Sequence, residues 1–372
     1  MRIGVDARSF ETSEVGDYFI KELFYQLAQN YTNHHFIFFS AKPADALGGL
    51  AENITQVVIT PEPTSFLLYK WWYDIKISIA LKKHKADIFI GTNGICCLTT
   101  KVPQLLIVQD LGFLQYPAFY PKNIRFFYKK FTPRFLKKAV SIAVFSDFIK
   151  KEITGKYAIS AQKITVIDIA AKSSFTPLSW DEREKVKERY AQGCEYFVFT
   201  GGLNPQKNVI NLLKAFSVFK KRQKTNMKLV IAGNVEKYKN EAEKINVYKY
   251  KNDISLTGDL SDSELASVTS AAYAMVFPSF SEASGLSVLE AMQCEVPVIT
   301  TADSSMAEVA GDAALYANPS QPEEIAEQMK RIFKDEDLRN KLIVAGTERA
   351  KLFDLQKTTA LTWQAIEKVV SG

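Results

Sequence analysis

The chain has 372 residues, of which 47% are hydrophobic and 24% charged, and it carries a formal charge of +6. That length exceeds one ordinary hydrophobic core and points to two domains of comparable size. The composition excludes disordered, collagenous and low-complexity chains, and no apolar run reaches the roughly 18 residues that a bilayer-spanning helix needs.

Met1-Arg2-Ile3-Gly4-Val5-Asp6 reads as a first strand and lacks the features of a signal peptide. Cys96, Cys97, Cys194 and Cys294 show neither disulfide nor zinc spacing, so a reducing, cytoplasmic setting is expected. Further apolar runs follow at Phe36–Phe39, Val57–Ile59, Ile88–Ile90, Leu105–Val108, Ile142–Phe145 and Ile164–Ile167. Between the first strand and Phe36–Phe39 lies a helix over Tyr18–Asn30, with Phe19, Ile20, Leu23 and Leu27 on one face. Strands that are apolar throughout suit a parallel sheet covered on both sides, hence a doubly wound α/β domain.

Phe66-Leu67-Leu68-Tyr69-Lys70-Trp71-Trp72-Tyr73 opens a helix ending in Lys82-Lys83. It suits either a peripheral membrane contact or packing of the tryptophans on the protein's own core. Basic clusters at Lys129-Lys130, Lys137-Lys138, Lys150-Lys151 and Lys220-Lys221-Arg222 read as solvated faces or as attraction to anionic lipid or substrate. A nucleic-acid partner is not expected, because no binding motif or aromatic-interleaved basic stripe occurs.

The alternation restarts after Phe175-Thr176-Pro177, and the domain boundary is expected near residues 168–178. The second set of strands is Tyr196–Thr200, Lys228–Ala232, Ile254–Leu256, Ala274–Phe277, Val296–Thr300 and Ala314–Tyr316. A helix over Val209–Lys220 turns Val209, Leu212, Leu213, Phe216 and Phe219 inward. The final helix, around Thr358–Val370, has no strand after it, and periodicity does not decide which domain it joins.

Ligands of doubly wound sheets bind beyond the carboxyl ends of the strands. The richest stretch there is Phe277-Pro278-Ser279-Phe280-Ser281-Glu282-Ala283-Ser284-Gly285-Leu286-Ser287-Val288-Leu289-Glu290. Gly285 permits close backbone approach, and the helix that follows presents amides and a dipole suited to a diphosphate. Two carboxylates bracket this point, Glu282 and Glu290, with seven residues between them. Ser287-Val288-Leu289-Glu290 also reads as a capping box, with Glu290 closing the helix start.

Continued by Ala291-Met292 and Cys294-Glu295-Val296-Pro297-Val298, the segment resembles the hallmark of the retaining glycosyltransferases of family 4. The resemblance extends over nearly the whole chain. It takes in Gly201-Gly202-Leu203-Asn204-Pro205-Gln206-Lys207-Asn208, Leu229-Val230-Ile231-Ala232-Gly233, Gly258-Asp259-Leu260-Ser261-Asp262, Glu308-Val309-Ala310-Gly311-Asp312-Ala313-Ala314 and Pro319. It implies the GT-B architecture, two facing Rossmann-like doubly wound parallel-sheet domains. Residues 1–172 would bind the acceptor and residues 173–355 the nucleotide-sugar donor, with the helix at about 356–372 packing back on the first domain as one option.

The resemblance implies transfer of a sugar from a nucleotide-diphosphate-sugar to a saccharide or lipid-linked acceptor, with retention of configuration. No cofactor or metal is expected, since the nucleotide sugar is a substrate and no Asp-x-Asp follows a strand; Asp335-Glu336-Asp337 lies in a late helical region. By position, Glu290 is expected on the donor ribose, Glu282 on the donor sugar, and the amides around Ser284, Gly285 and Leu286 on the diphosphate. Lys207 matches the family's diphosphate-binding lysine, and Gly16 occupies the glycine-rich loop after the first strand. Gln109 stands where a histidine usually contacts the donor sugar, so Lys207, Glu282 and Gln109 fill the catalytic positions.

The departures are Gln109 itself, Gly202 where many members carry an arginine, the acidic Glu14 and Asp17, and Ile167-Asp168-Ile169-Ala170 in the hinge. With Gly202 in place of arginine, Lys207 is the main side-chain cation for the leaving diphosphate, and Gly202→Arg should strengthen diphosphate binding if that backbone accepts a side chain. Two other readings stay open, a catalytically silent nucleotide-sugar-binding protein and a sugar-nucleotide epimerase. A dinucleotide oxidoreductase is disfavoured, as no Gly-x-Gly-x-x-Gly follows the first strand.

Overall fold

The computed structural model describes residues 1–11, 15–43, 51–234, 238, 242, 243, 245 and 247–371; Glu14 and the side chains of Asp17, Phe66 and Leu67 lie outside the described residues. Two compact units form, Met1–Ile169 with Asp354–Gly372, and Ala170–Phe353. In the first, seven strands are β1 (Arg2–Asp6), β2 (His35–Ser40), β3 (Ile54–Val58), β4 (Ile88–Gly91), β5 (Gln104–Val108), β6 (Ser141–Val144) and β7 (Ile164–Val166). They lie in the order β3-β2-β1-β4-β5-β6-β7, all pairs parallel, with Val5 opposite Phe38 on one side and Ile90 on the other. Ile3, Val5, Phe36, Phe38, Phe89 and Leu106 are fully buried, as strands covered by helices on both faces require.

The second sheet repeats the plan with β8 (Tyr196–Thr200), β9 (Lys228–Ala232), β10 (Ile254–Leu256), β11 (Ala274–Phe277), β12 (Val298–Thr301) and β13 (Ala314–Ala317). Its order is β10-β9-β8-β11-β12-β13, again parallel throughout. The helix Val209–Gln223 buries the inward residues read from the sequence, Val209, Leu212, Leu213, Phe216 and Phe219.

Two strand starts differ from the sequence reading by more than one residue. β12 begins at Val298, because Val296 N bonds back to Ala291 O at the preceding helix end and Pro297 has no N–H to donate. β3 begins at Ile54, earlier than the apolar run; Thr55 and Gln56 interrupt the hydrophobicity because this strand forms the margin of its sheet.

The last helix, Leu355–Ser371, belongs to the first unit. Trp363 stacks on Tyr31 at 3.8 Å between ring centroids, Asn30 Nδ2 donates to Gln356 Oε1 at 2.9 Å, and Lys368 Nζ donates to Gln162 O at 2.8 Å. An aromatic pair of this kind adds about 0.5–1.5 kcal/mol beyond its buried area.

The aromatic run near residue 70 also serves the core. Trp72 is fully buried and its indole N–H donates to Ile59 O at 2.9 Å; Tyr73 is 2% exposed, and Trp71 packs half-buried against the same cluster. These rings are therefore not free to lie in a lipid interface. Among the described residues no helix is long and apolar enough to cross a membrane.

Candidate active site

In an open parallel sheet the crevice for a ligand opens where the strand order reverses, beyond the carboxyl ends of the two strands that begin the two halves. In the second unit those strands are β8 and β11, which pair directly, Met275 opposite Val198. Gly201, Gly202 and Lys207 follow β8, whereas Ser279, Glu282, Ser284 and Gly285 follow β11. Residues up to 84 positions apart in sequence, Gly201 and Gly285, are thus collected at one sheet edge by topology alone.

After β8 the chain turns through Gly201 (φ 101°) and Gly202 (φ 68°) into a short 3-10 turn, Pro205–Lys207. Asn208 follows in the left-handed conformation (φ 64°) and is 4% exposed. Its side-chain amide donates to Pro278 O at 2.9 Å and to Pro319 O at 2.6 Å, tying this loop to the one after β11. Phe280 N donates to Gln206 O at 2.9 Å and makes a second tie. The Lys207 chain lies beside Gly201, where a Cβ would stand 3.1 Å from Lys207 Cε.

So placed, Lys207 Nζ lies 2.7 Å from both Glu282 carboxylate oxygens. Ser279, fully buried, donates to Glu282 Oε1 at 2.7 Å, and Ser305 Oγ donates to Glu282 O at 2.8 Å. The Lys207 and Glu282 side chains keep 20% and 14% of their surface exposed, so the pair is largely desolvated yet reachable. Ser279, Asn208 and Ser305 did not emerge from the sequence. Only their contacts across the fold distinguish them from ordinary loop residues.

The helix Leu286–Gln293 starts at Gly285, which caps it in the left-handed conformation (φ 73°), with Val288 N and Leu289 N both donating to Gly285 O. A side chain at Gly285 would meet Met306 Cα at 3.0 Å and Ser305 O at 3.2 Å. The first amides of any helix lack intrahelical acceptors and carry its positive dipole end, the arrangement that receives phosphate. Ser284 is 7% exposed, and the Leu286 side chain is buried at 4%, so only the backbone of Leu286 is suited to a ligand.

The capping-box reading of Glu290 is overturned. The N-cap is Gly285 and no side chain caps this helix; Ser287 and Glu290 are the second and fifth residues within it. Glu290 is instead 3% exposed, and its Oε1 has no hydrogen-bond partner among the described residues. Burial pushes its carboxyl up to about 8, against the pull of Lys172 and Lys207 and with a push from Asp262. A buried unpaired carboxylate oxygen is costly unless a donor arrives to satisfy it.

At Gly202 the expected gain from an arginine was conditional on a backbone that accepts a side chain, and that condition is not met. Both Gly201 N and Gly202 N donate to Ala232 O at 3.0 Å, and a Cβ at Gly202 would stand 2.6 Å from Asn234 O. The position is closed to an arginine side chain by conformation and by backbone contact together. Gly258 has a similar φ of 70° but open space around its Cβ position. Gly258→Ala is therefore expected to cost only the left-handed strain, about 1–2 kcal/mol, while Gly202→Ala adds the clash. Urea midpoints should fall further for Gly202→Ala; equal midpoints would show that the Asn234 contact yields freely.

The first unit holds the remaining sequence candidates. Gly16 lies in the first turn of the helix Val15–Asn30, following β1. Gln109 follows β5, its Nε2 donating to Thr92 O and Asn93 Oδ1 at 3.3 Å each. Asp6, fully buried at the end of β1, pairs with Arg8 at 3.1 Å and accepts from Tyr73 OH. The Arg8 guanidinium in turn lies within 5.3 Å of the ring centres of Tyr69, Trp72 and Tyr73. This charged cluster at the ligand-binding end of the sheet was hidden because Asp6 and Tyr73 are 67 positions apart.

Asp335, part of the late acidic run, caps the helix Glu336–Ala350 by accepting from Leu338 N at 2.9 Å. Among the described residues no group of three or more His, Cys, Asp or Glu could hold a metal ion. All four cysteines are free.

The family profile described as "Glycosyl transferases group 1" matches residues 181–349, within the unit that carries Lys207, Glu282 and Glu290. O-antigen chain mannosyltransferase B of Escherichia coli is 26% identical over 311 residues, 82% of this chain and 80% of its own. O-antigen chain mannosyltransferase RfbU of Salmonella typhimurium is 26% identical over 295 residues, 77% and 78% of the two chains. Among solved structures, Anabaena Alr3699/HepE in complex with UDP-glucose superposes with a TM-score of 0.77 at 16% identity, covering 100% of both chains. The unit that carries Lys207, Glu282 and Glu290 matches the group 1 glycosyltransferases, and the chain has the GT-B fold of the solved glycosyltransferases it resembles.

Proposed function

We propose that the protein transfers a sugar, with retention of configuration, from a nucleoside-diphosphate sugar to a saccharide or lipid-linked acceptor. The observation that carries this reading is the Lys207–Glu282 pair at the mouth of the helix Leu286–Gln293. An arriving diphosphate competes with Glu282 for the Lys207 ammonium and takes the helix amides, which frees the Glu282 carboxylate to accept from sugar hydroxyls. Glu290, buried and lacking a partner for Oε1, accepts from the ribose. Residues of the second unit hold the donor.

In the transfer, the bond from the anomeric carbon to the diphosphate breaks and a bond to the acceptor oxygen forms on the same face. The acceptor proton passes to the departing diphosphate oxygen, whose charge Lys207 and the helix dipole stabilise. The names of the two curated relatives put a mannosyl donor first among those to try, with UDP-glucose, the ligand of the structural neighbour, second.

A thermal-shift panel of nucleoside diphosphates and their sugars tests the reading, since a ligand of the folded state raises Tm by mass action. At least one should shift the wild type and not the Glu290→Ala protein, and turnover of that donor with an acceptor should follow. Saturable binding without turnover would favour the silent nucleotide-sugar-binding alternative, which the glutamine at position 109 motivates. Turnover is expected to survive exhaustive EDTA, because among the described residues no group of three or more His, Cys, Asp or Glu could hold a divalent ion. Loss on chelation with rescue by magnesium or manganese would refute metal independence.

A further inference from the structure

The helix Lys122–Lys138 of the first unit has the sequence KNIRFFYKKFTPRFLKK, seven cations and no acidic residue. Its core side is clear: Phe127, Phe131, Thr132, Phe135 and Leu136 are buried. At 100° per residue the opposite side carries Lys122, Lys129, Lys130, Arg134 and Lys137, all exposed, around Phe126, which is 59% exposed. Among the described residues no ion pair neutralises any of these five cations. Lys130 Nζ stands over the Phe126 ring, 5.5 Å from its centre.

A solvated face needs no aromatic side chain, and a core face cannot hold five unpaired cations. A ring set in a band of positive charge on a helix about 25 Å long matches the boundary between anionic headgroups and acyl chains. We infer that this helix face docks the protein on an anionic lipid surface, with Phe126 entering the interface and the five cations meeting the headgroups. The buried side of the helix packs on the aromatic run near residue 70, with Phe127 5.8 Å from Tyr69 between ring centres, so the exposed face is separate from the tryptophans the core holds, and its docking does not depend on catalysis.

The test sediments the full chain with vesicles of phosphatidylcholine, alone or mixed with phosphatidylglycerol. Binding is expected to the mixed vesicles only and to weaken as salt rises. Each cation near such a surface contributes enough that removing two lowers partitioning roughly thirtyfold, so Lys129→Glu/Lys130→Glu should lose at least that. Lys221→Glu/Arg222→Glu, the same charge change on exposed residues of the second unit, should retain binding within a few-fold. Phe126→Trp should gain blue-shifted emission on mixing with the anionic vesicles, above the change of the wild type. The inference is overturned by no sedimentation with mixed vesicles, by equal losses in the two double variants, or by no added emission shift from Phe126→Trp. Binding to an anionic oligonucleotide without binding to vesicles would assign the face to nucleic acid instead.

Discussion

Lys207→Ala is expected to lower turnover by tens- to hundreds-fold while the protein stays folded. A charge-assisted bond to a diphosphate contributes roughly 1.5–3 kcal/mol, and about 1.4 kcal/mol is a factor of ten in rate. The arginine that many relatives carry is replaced by Gly202, and the structure gives a side chain no room there. Loss of the lysine also strips Glu282 of its counter-ion at 2.7 Å, leaving Ser279 as its side-chain donor among the described residues. Glu282→Ala should therefore impair turnover of the sugar nucleotide more than affinity for the bare nucleotide, and the double variant should fall short of the summed losses, since contacting residues couple. Steady-state kcat and KM with donor varied measure this. Wild-type kinetics in a folded Lys207→Ala protein would remove the lysine from the site.

Glu290 should make the unliganded protein lose stability as pH rises. Its carboxyl ionises at about 8 in the folded protein against an ordinary value of 4.5. Between those values the unfolded chain is ionised while the folded one keeps its proton, so folding takes up a proton and stability declines with increasing pH. Below 4.5 both states are protonated and above 8 both are ionised, and the slope from this group vanishes. At about 1.4 kcal/mol per pH unit the interval amounts to as much as roughly 5 kcal/mol. Glu290→Gln should abolish that decline, which urea unfolding across the interval would measure; an unchanged slope would mean that the carboxyl is ionised in the folded state. Ribose hydroxyls stabilise the ionised form, so nucleotide affinity should rise towards pH 8, and Glu290→Ala should weaken it by roughly 1–3 kcal/mol.

The stability behaviour of Glu290 shows where sequence reasoning stops. Ser287-Val288-Leu289-Glu290 satisfies the capping pattern, yet Gly285 had already begun the helix, because its left-handed backbone packs against Met306 and Ser305. Those contacts come from another helix, and no local pattern announces them. Lys207 was legible as a diphosphate-binding lysine through the resemblance, but its pairing with Glu282, 75 positions later, was not.

What the sequence determined by itself was the two parallel sheets, nearly strand by strand, because a strand buried on both faces must be apolar along its whole length. The inward faces of Val15–Asn30 and Val209–Gln223 were legible for a similar reason, helical periodicity being a local property. The motif around Glu282 and Glu290 was also readable, since its order along the chain is itself the signal. Tertiary structure alone decided that the final helix joins the first unit, where Trp363 meets Tyr31, and that Trp72 serves the core. It alone closed Gly202 to a side chain and brought Asp6, Arg8 and Tyr73 together. Each of these depends on which surfaces meet after the strands have paired, and amphipathic patterning states that a face must be covered without stating by what.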